Sequence, residues 1–139
     1  MFVLDTNVLS TLRRRDKGDP SVVAWAASRD IADFFISVIT LLELEVGTLL
    51  LGRKDSAQAG VYRKWIDTVV IPEFGERILP VDTQVAIQCA RLHVPDRRPE
   101  RDALIAATAL VHNMTVVTRN TKHFAPTGAK LLNPWEANT

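Results

Sequence analysis

Three short apolar runs rich in β-branched residues, each closed by polar residues and followed by helical spacing, constrain this chain more than any other feature. Phe2-Val3-Leu4 is ended by Asp5-Thr6-Asn7, which reads as a buried strand running into a helix cap. Val8, Leu9 and Leu12 continue at helical spacing until the charged run 13–16 and Gly18-Asp19-Pro20 stop it. Pro20 suits a first helical turn, with Val22, Val23, Ala26 and Ala27 as an apolar stripe. Phe34-Phe35-Ile36-Ser37-Val38 is the second strand. Thr40 then opens a helix whose apolar face is Leu42, Val46, Leu49 and Leu50. Thr115-Val116-Val117-Thr118 is the third. Strands alternating with helices imply a parallel sheet covered on both faces, an α/β fold.

Weaker signals fill the remainder. A helix is predicted over 56–69, with Val61, Trp65 and Val69 stacked at four-residue spacing. Ile78-Leu79-Pro80-Val81 is a short strand, and its proline suits an edge or terminal position. Asp82 caps a helix carrying Val85, Ala86, Cys89 and Leu92. The helix over 102–113 is apolar almost all round and must be deeply packed. Lys130-Leu131-Leu132 adds an edge strand. There is no repeat, linker or low-complexity tract, so residues 1–139 are expected to form a single domain.

Composition enters chiefly by exclusion. A hydrophobic fraction of 47% with 24% charged residues is globular and rules out wholesale disorder. The single cysteine, Cys89, excludes an internal disulfide framework and a Cys-rich zinc site. The longest apolar runs, such as 103–111, fall short of the roughly 20 residues a membrane span needs. Met1 leads straight into folded-looking sequence without a basic leader, and the expected setting is cytoplasmic. A net charge of +1 argues against a polycation that coats nucleic acid. The basic residues are nevertheless clustered: Arg13, Arg14, Arg15 and Lys17; Arg97, Arg98 and Arg101; Arg119 and Lys122. Such a rim can bind phosphate even when the total charge is neutral, although a solvated face accounts for any one cluster equally well.

Parallel sheets bind ligands beyond the carboxyl ends of their strands, which directs attention to the polar residues there. Asp5 and Thr118 directly follow strands, and Glu43 and Asp102 lie in first helical turns. Each acid has a structural explanation. Asp5 can cap the first helix. Thr40 and Glu43 have capping-box spacing. Asp102 can complement a helix dipole. Together they weaken those explanations, because helix starts after parallel strands share one edge of the sheet. Three carboxylates converging there repel one another, and a divalent cation resolves the conflict; hard oxygen ligands suit Mg²⁺ or Mn²⁺.

Rival chemistries lack their residues. No phosphate-loop or dinucleotide glycine pattern occurs, and His93, His112 and His123 show no metalloprotease spacing. Cys89 sits on an apolar helix face and reads as core. No nucleophile elbow is present. An aspartyl phosphotransferase wants a second Asp two positions after the first, where this chain has Asn7.

Met1 to Ser10 (MFVLDTNVLS), "SVITLLELEVG" from Ser37, "RDALIAATAL" from Arg101 and "VTRNTKHF" from Val117 together resemble the PIN-domain ribonucleases. The likeness is to the VapC-type toxins of toxin–antitoxin pairs, including the FitB-like branch, and it runs through "LLNPWE" near the C-terminus. It implies a three-layer α/β/α sandwich with a mainly parallel sheet. It also implies a Mg²⁺- or Mn²⁺-dependent endoribonuclease, usually a homodimer, neutralised by a VapB-type antitoxin. Asp5, Glu43 and Asp102 match the family's metal-binding acids. Glu45 would point elsewhere, rotated about 200° around the helix from Glu43. Where many members carry a fourth acid, this chain has Asn120 and His123, which puts a full second metal site in doubt. His123 can hydrogen-bond a phosphate when protonated, although a plain loop histidine accounts for it better.

The expected reaction is hydrolysis of RNA by metal-activated water, with Asp5, Glu43 and Asp102 holding the ion and Glu43 accepting a proton. Thr6, Asn7, Thr118 and Asn120 are supporting candidates. Arg13, Arg14, Arg97, Arg98 and Arg119 are candidate contacts to the RNA backbone. Two other readings compete: a DNA nuclease of the same fold, and a binding module in which Trp25 and Leu49-Leu50-Leu51 line a groove for a partner helix.

Overall fold

The computed structural model describes residues 1–136. Five strands form one sheet in the order β3-β2-β1-β4-β5, and every pairing is parallel. They are β1 (Phe2–Leu4), β2 (Phe34–Ser37), β3 (Ile78–Leu79), β4 (Thr115–Val117) and β5 (Lys130–Leu132). Both weak strand signals are therefore edge strands. The helices are α1 (Thr6–Leu12), α2 (Pro20–Ala27), α3 (Val38–Gly52), α4 (Ser56–Trp65), α5 (Ile71–Phe74), α6 (Thr83–Leu92), α7 (Glu100–His112) and α8 (Thr121–Phe124).

Strand alternation divides the core into two layers. Leu4, Ile36 and Val117 face one way, onto Val8, Leu9, Val22, Leu44, Ile66, Val70 and Phe74. Val3 and Val116 face the other way, onto Ile39, Ile105, Ala106, Ala109 and Phe124. Helix α6 packs outside α7 through Val85, Cys89, Ala103 and Ala107, so Cys89 is core and α7 is enclosed as its composition demands. The result is a three-layer α/β/α sandwich.

Several local expectations are corrected. The third helix starts at Val38, capped by the Ser37 hydroxyl, which accepts from the Ile39 N–H at 3.0 Å. Thr40 is thereby a buried interior residue, and the capping box with Glu43 does not form. The predicted apolar face of α3 is its outer one: Leu42, Leu49 and Leu50 are exposed, whereas Ile39, Leu44 and Thr48 are buried. Leucine fills both sides of this helix, so periodicity could not select the inner one.

The helix predicted over 56–69 runs further. A π-helical segment, Ile66–Val70, joins α4 to α5, and Ile71 N–H donates to the Ile66 carbonyl. Pro72 falls in the first turn of α5, where its missing N–H is no loss. The inner face of this stretch is Ala59, Ile66, Val70 and Phe74, and Val61 and Val69 are exposed. Trp25 stacks on Phe34 at 5.3 Å between ring centroids and meets Phe2 edge-on at 5.2 Å, which makes it part of the core.

Candidate active site

Chain direction across the sheet reverses between β1 and β4: β2 and β3 extend from one side of β1, β4 and β5 from the other. The crevice beyond the carboxyl ends of those two strands is where such sheets take ligands. Asp5 follows β1 there and Thr118 follows β4, tied by the Asp5 N–H to the Val117 carbonyl at 2.9 Å.

Asp5 is buried and held from several directions. Its Oδ1 accepts the Thr6 N–H at 2.8 Å as the N-cap of α1. Its Oδ2 accepts the buried Thr118 hydroxyl at 2.7 Å and, more weakly, the Asn7 amide at 3.4 Å. Capping and presentation to the crevice are thus properties of the same carboxylate. Thr6 also reaches across to α3: its hydroxyl donates to Glu43 Oε1 at 2.6 Å. Asn120 contributes its backbone N–H to Thr118 Oγ1, and Arg119 N–H reaches Asn7 Oδ1 at 3.4 Å.

Asp102 lies in the first turn of α7 and caps nothing; the cap position is Pro99 and has no side-chain hydrogen bond. His123 stands beside it, Nδ1 3.9 Å from Asp102 Oδ2. This corrects the plain loop reading: His123 is on α8, at the acidic site. Glu45 points away, clasped by Arg63 through two bonds of 2.7 and 2.6 Å.

The three carboxyls share an environment. Burial raises the pKa of Asp5, opposed by the bonds from Thr118 and Thr6 and by the charge of His123. Burial also raises Glu43, opposed by the Thr6 bond; the charges of Asp5 and Asp102 raise it further, and Arg101 lowers it. Asp102 is raised by burial and then by Asp5, with His123 opposing. Each acid therefore sits within the field of at least one other. Among the described residues, no three Asp, Glu, His or Cys side chains are drawn tightly enough to form a ready-made metal cage.

The basic candidates separate into two places. Arg13 and Arg14 line a cavity with Ser10, Lys17 and Trp135, and the Arg119 guanidinium lies 5.2 Å from the Trp135 ring centroid. Arg97 and Arg98 lie on the loop entering α7, where the Arg98 N–H donates to His93 Nδ1. Sequence reasoning missed Ser10, Tyr62 and Trp135, whose only signal was a polar or aromatic residue beside a charged cluster.

The PIN-domain pattern matches residues 2–129. This chain belongs to the PIN-domain family. The PIN domain described here is 33% identical to the VapC ribonuclease Y4jK of Sinorhizobium fredii, over 98% of this chain and 99% of that one. It is 36% identical to the toxin FitB of Neisseria gonorrhoeae, over 97% of this chain and 99% of FitB. In three dimensions it superposes on the FitAcB crystal structure from that organism with a TM-score of 0.89 at 34% identity, covering 99% of this chain and all of that one. A toxin–antitoxin complex from Klebsiella pneumoniae shares the fold, at a TM-score of 0.64 and 23% identity.

Proposed function

We propose that this PIN domain is a divalent-cation-dependent endoribonuclease, the toxin of a toxin–antitoxin pair acting in the cytoplasm, and that a VapB-type antitoxin silences it. Asp5, Glu43 and Asp102, three mutually repelling carboxyls at the switch point of a parallel sheet, carry this reading. Relatives named as a VapC ribonuclease and a FitB toxin, matched along nearly their whole length, support it.

The residues fit a hard cation in kind. All three donors are carboxylate oxygens, and a positive ion cancels the repulsion that raises Glu43 and Asp102. Asp5, Glu43 and Asp102 would hold Mg²⁺ or Mn²⁺ directly or through its retained waters. When bound, such an ion lowers the pKa of an attacking water and neutralises charge developing on the phosphate.

The chain's own side chains do the rest. Thr6 and Thr118 fix Asp5 from opposite sides, and Thr6 holds Glu43 by its other donor. Glu43, half-buried and with a raised pKa, accepts the proton of the attacking water. One P–O bond then forms from that water while the bond to the departing ribose oxygen breaks, that oxygen taking a proton from solvent and Glu43 returning its own to solvent afterwards. His123 beside Asp102 donates to a phosphate oxygen when protonated. Asn7 and Asn120 support the crevice wall. Arg13, Arg14 and Arg119 hold the RNA backbone on one side and Arg97 and Arg98 on the other. The exposed Leu42, Leu49, Leu50 and Val61 supply apolar surface for a homodimer.

Purified protein incubated with total cellular RNA in Mg²⁺, in Mn²⁺ and in EDTA, beside Asp5→Asn and a matched DNA, tests the proposal. Discrete RNA fragments that require metal and vanish in the variant are expected. Cleavage that survives both EDTA and Asp5→Asn would overturn it, and preferential cutting of DNA would redirect it to the DNA nuclease.

A further inference from the structure

Glu43 also borders a cavity beside the acidic cluster. This cavity of about 330 Å³ lies between α1, α3 and α4, walled by Thr6, Ser10, Glu43, Gly47, Thr48 and Tyr62, with Leu44 and Leu51 as its apolar part. That volume is at the lower end of the range for small-molecule sites, and the mixture of apolar floor with a few hydroxyls is what such sites use. Because Glu43 and Thr6 form part of the wall, anything seated there touches the acidic cluster.

Two features show that the cavity is open by construction. At Gly47 on α3, an added Cβ would meet no atom within 4 Å, so the missing side chain leaves space on that helix face. Tyr62 on α4 is held in place by Arg13, whose guanidinium carbon lies 4.3 Å from the ring centroid, and by Trp65, edge-on at 6.2 Å. The hydroxyls of Ser10 and Tyr62 have no hydrogen-bond partner within the described part of the chain.

A second cavity adjoins the first at Ser10. Arg13, Arg14, Lys17, Asp19 and Trp135 line it, three cations against one carboxylate, with Arg14 also paired to Asp16 at 3.2 Å. Arg13 therefore serves both: it lines the cationic cavity and packs on the tyrosine of the other. The acidic Glu43, the tyrosine-lined cavity and the arginine-lined cavity are thus linked in that order through shared wall residues, Glu43 and Thr6 at one end and Ser10 at the other.

Building on the ribonuclease reading, we propose that the Tyr62 cavity seats the nucleobase next to the scissile phosphate, and that the Arg13–Arg14–Lys17 cavity takes that nucleotide's outer phosphate. The ring packs against Tyr62, a contact every base can make, while the free hydroxyls of Ser10 and Tyr62 meet its polar edge and select among bases. Cutting would then show a preference at one position beside the cleaved bond, set by this pocket.

The test uses the four ribonucleoside 5′-monophosphates as probes, titrated into the full chain in EDTA and followed by amide chemical shifts, so that binding is read without cleavage. Wild type, Gly47→Leu and Tyr62→Phe are compared, and cleavage sites are mapped for each in Mg²⁺. Leucine at 47 projects into the open space and improves helix propensity, so the melting temperature should not fall. The expected result is binding of one or two of the four nucleotides, with shifts around Gly47 and Tyr62. That binding should be about tenfold weaker in Gly47→Leu and should lose its discrimination, though not its strength, in Tyr62→Phe. Unchanged nucleotide binding and unchanged cleavage sites in a folded Gly47→Leu would overturn the pocket while leaving the ribonuclease standing. Binding that maps to the pocket in a protein cutting no RNA would retain the pocket and overturn the ribonuclease. Nucleotides that shift nothing near Gly47 would overturn the pocket outright.

Discussion

The hydroxyl of Thr118 donates to Asp5 Oδ2 at 2.7 Å across 113 residues of sequence, and it joins the ends of the two strands between which the sheet changes direction. Thr118 is fully buried and also accepts the Asn120 N–H. Thr118→Val keeps the shape and removes both bonds, leaving a buried carboxylate short of a donor. The expected cost is about 2 kcal/mol in chemical denaturation, with RNA cleavage reduced about tenfold or more. Thr118→Ser should restore most of both. Wild-type cleavage by Thr118→Val would remove Thr118 from the site.

The raised pKa values of Asp5, Glu43 and Asp102 set a direction for stability against pH. In the window just above the unfolded carboxylate values, the folded chain keeps protons that the unfolded chain has lost. The contribution of these groups is therefore full below roughly pH 4 and disappears as pH rises through the folded values. In EDTA, thermal melts should show this loss. Saturating Mg²⁺ should reverse it near neutral pH, by about 2–3 kcal/mol at a hundred times the dissociation constant. Asp5→Asn should melt no lower than wild type in EDTA and should respond little to Mg²⁺.

Glu43 and Glu45 differ in partner although they are two residues apart. Glu43→Gln should lower cleavage about a hundredfold or more if Glu43 accepts the proton. Glu45→Gln removes one side of a partly exposed ion pair with Arg63, which keeps Asp67 as its other partner. It should change stability by less than about 1 kcal/mol and cleavage by less than about twofold. Single-turnover rates on one defined RNA decide between them, and equal losses would reassign the acid.

Arg119 lies beside Trp135, past the carboxyl end of β4, whereas Lys130 lies at the amino end of the neighbouring β5, bonded to Asn113 at 3.4 Å. Arg119→Ala should shallow the logarithmic salt dependence of RNA binding by about 0.7 per lost phosphate contact. Lys130→Ala should leave the slope unchanged. Filter binding at several salt concentrations checks both, and identical slopes would move the RNA path elsewhere.

Ile105 is fully buried on α7, and Leu49 on α3 is 69% exposed. Ile105→Ala should cost about 3 kcal/mol through lost burial and the cavity left behind. Leu49→Ala should stay within about 0.5 kcal/mol in a dilute monomer. A larger loss at Leu49 that grows with protein concentration would report self-association through the outer face of α3.

What could be read in the residues depended on how far each cause reached. The strand–cap junction at Asp5 rests on neighbours alone: apolar residues, a capping acid, then helical spacing. The start of α3 was misplaced because Ser37 ends a strand and caps a helix with the same residue, and strand character concealed the cap. The inner faces of α3 and α4 were chosen wrongly for a related reason. Helix α3 carries apolar residues on both sides, and in α4 the small Ala59 is buried while the larger Val61 is exposed, so side-chain size gave no guide to the inner face.

By itself, the sequence determined the alternation of strand and helix, the burial of α7 and the position of Asp5 directly after the first strand, because these follow from local hydrophobicity and chain-order spacing. Only the tertiary structure decided that Thr6 would link Asp5 to Glu43, that His123 would stand beside Asp102, and that Tyr62 and Gly47 would open a cavity beside Glu43. Thr6 and Glu43 are 37 positions apart, Asp102 and His123 are 21 apart, and Gly47 and Tyr62 are 15 apart. These relationships are fixed by how three layers pack on a sheet, and a one-dimensional pattern carries no term for that packing.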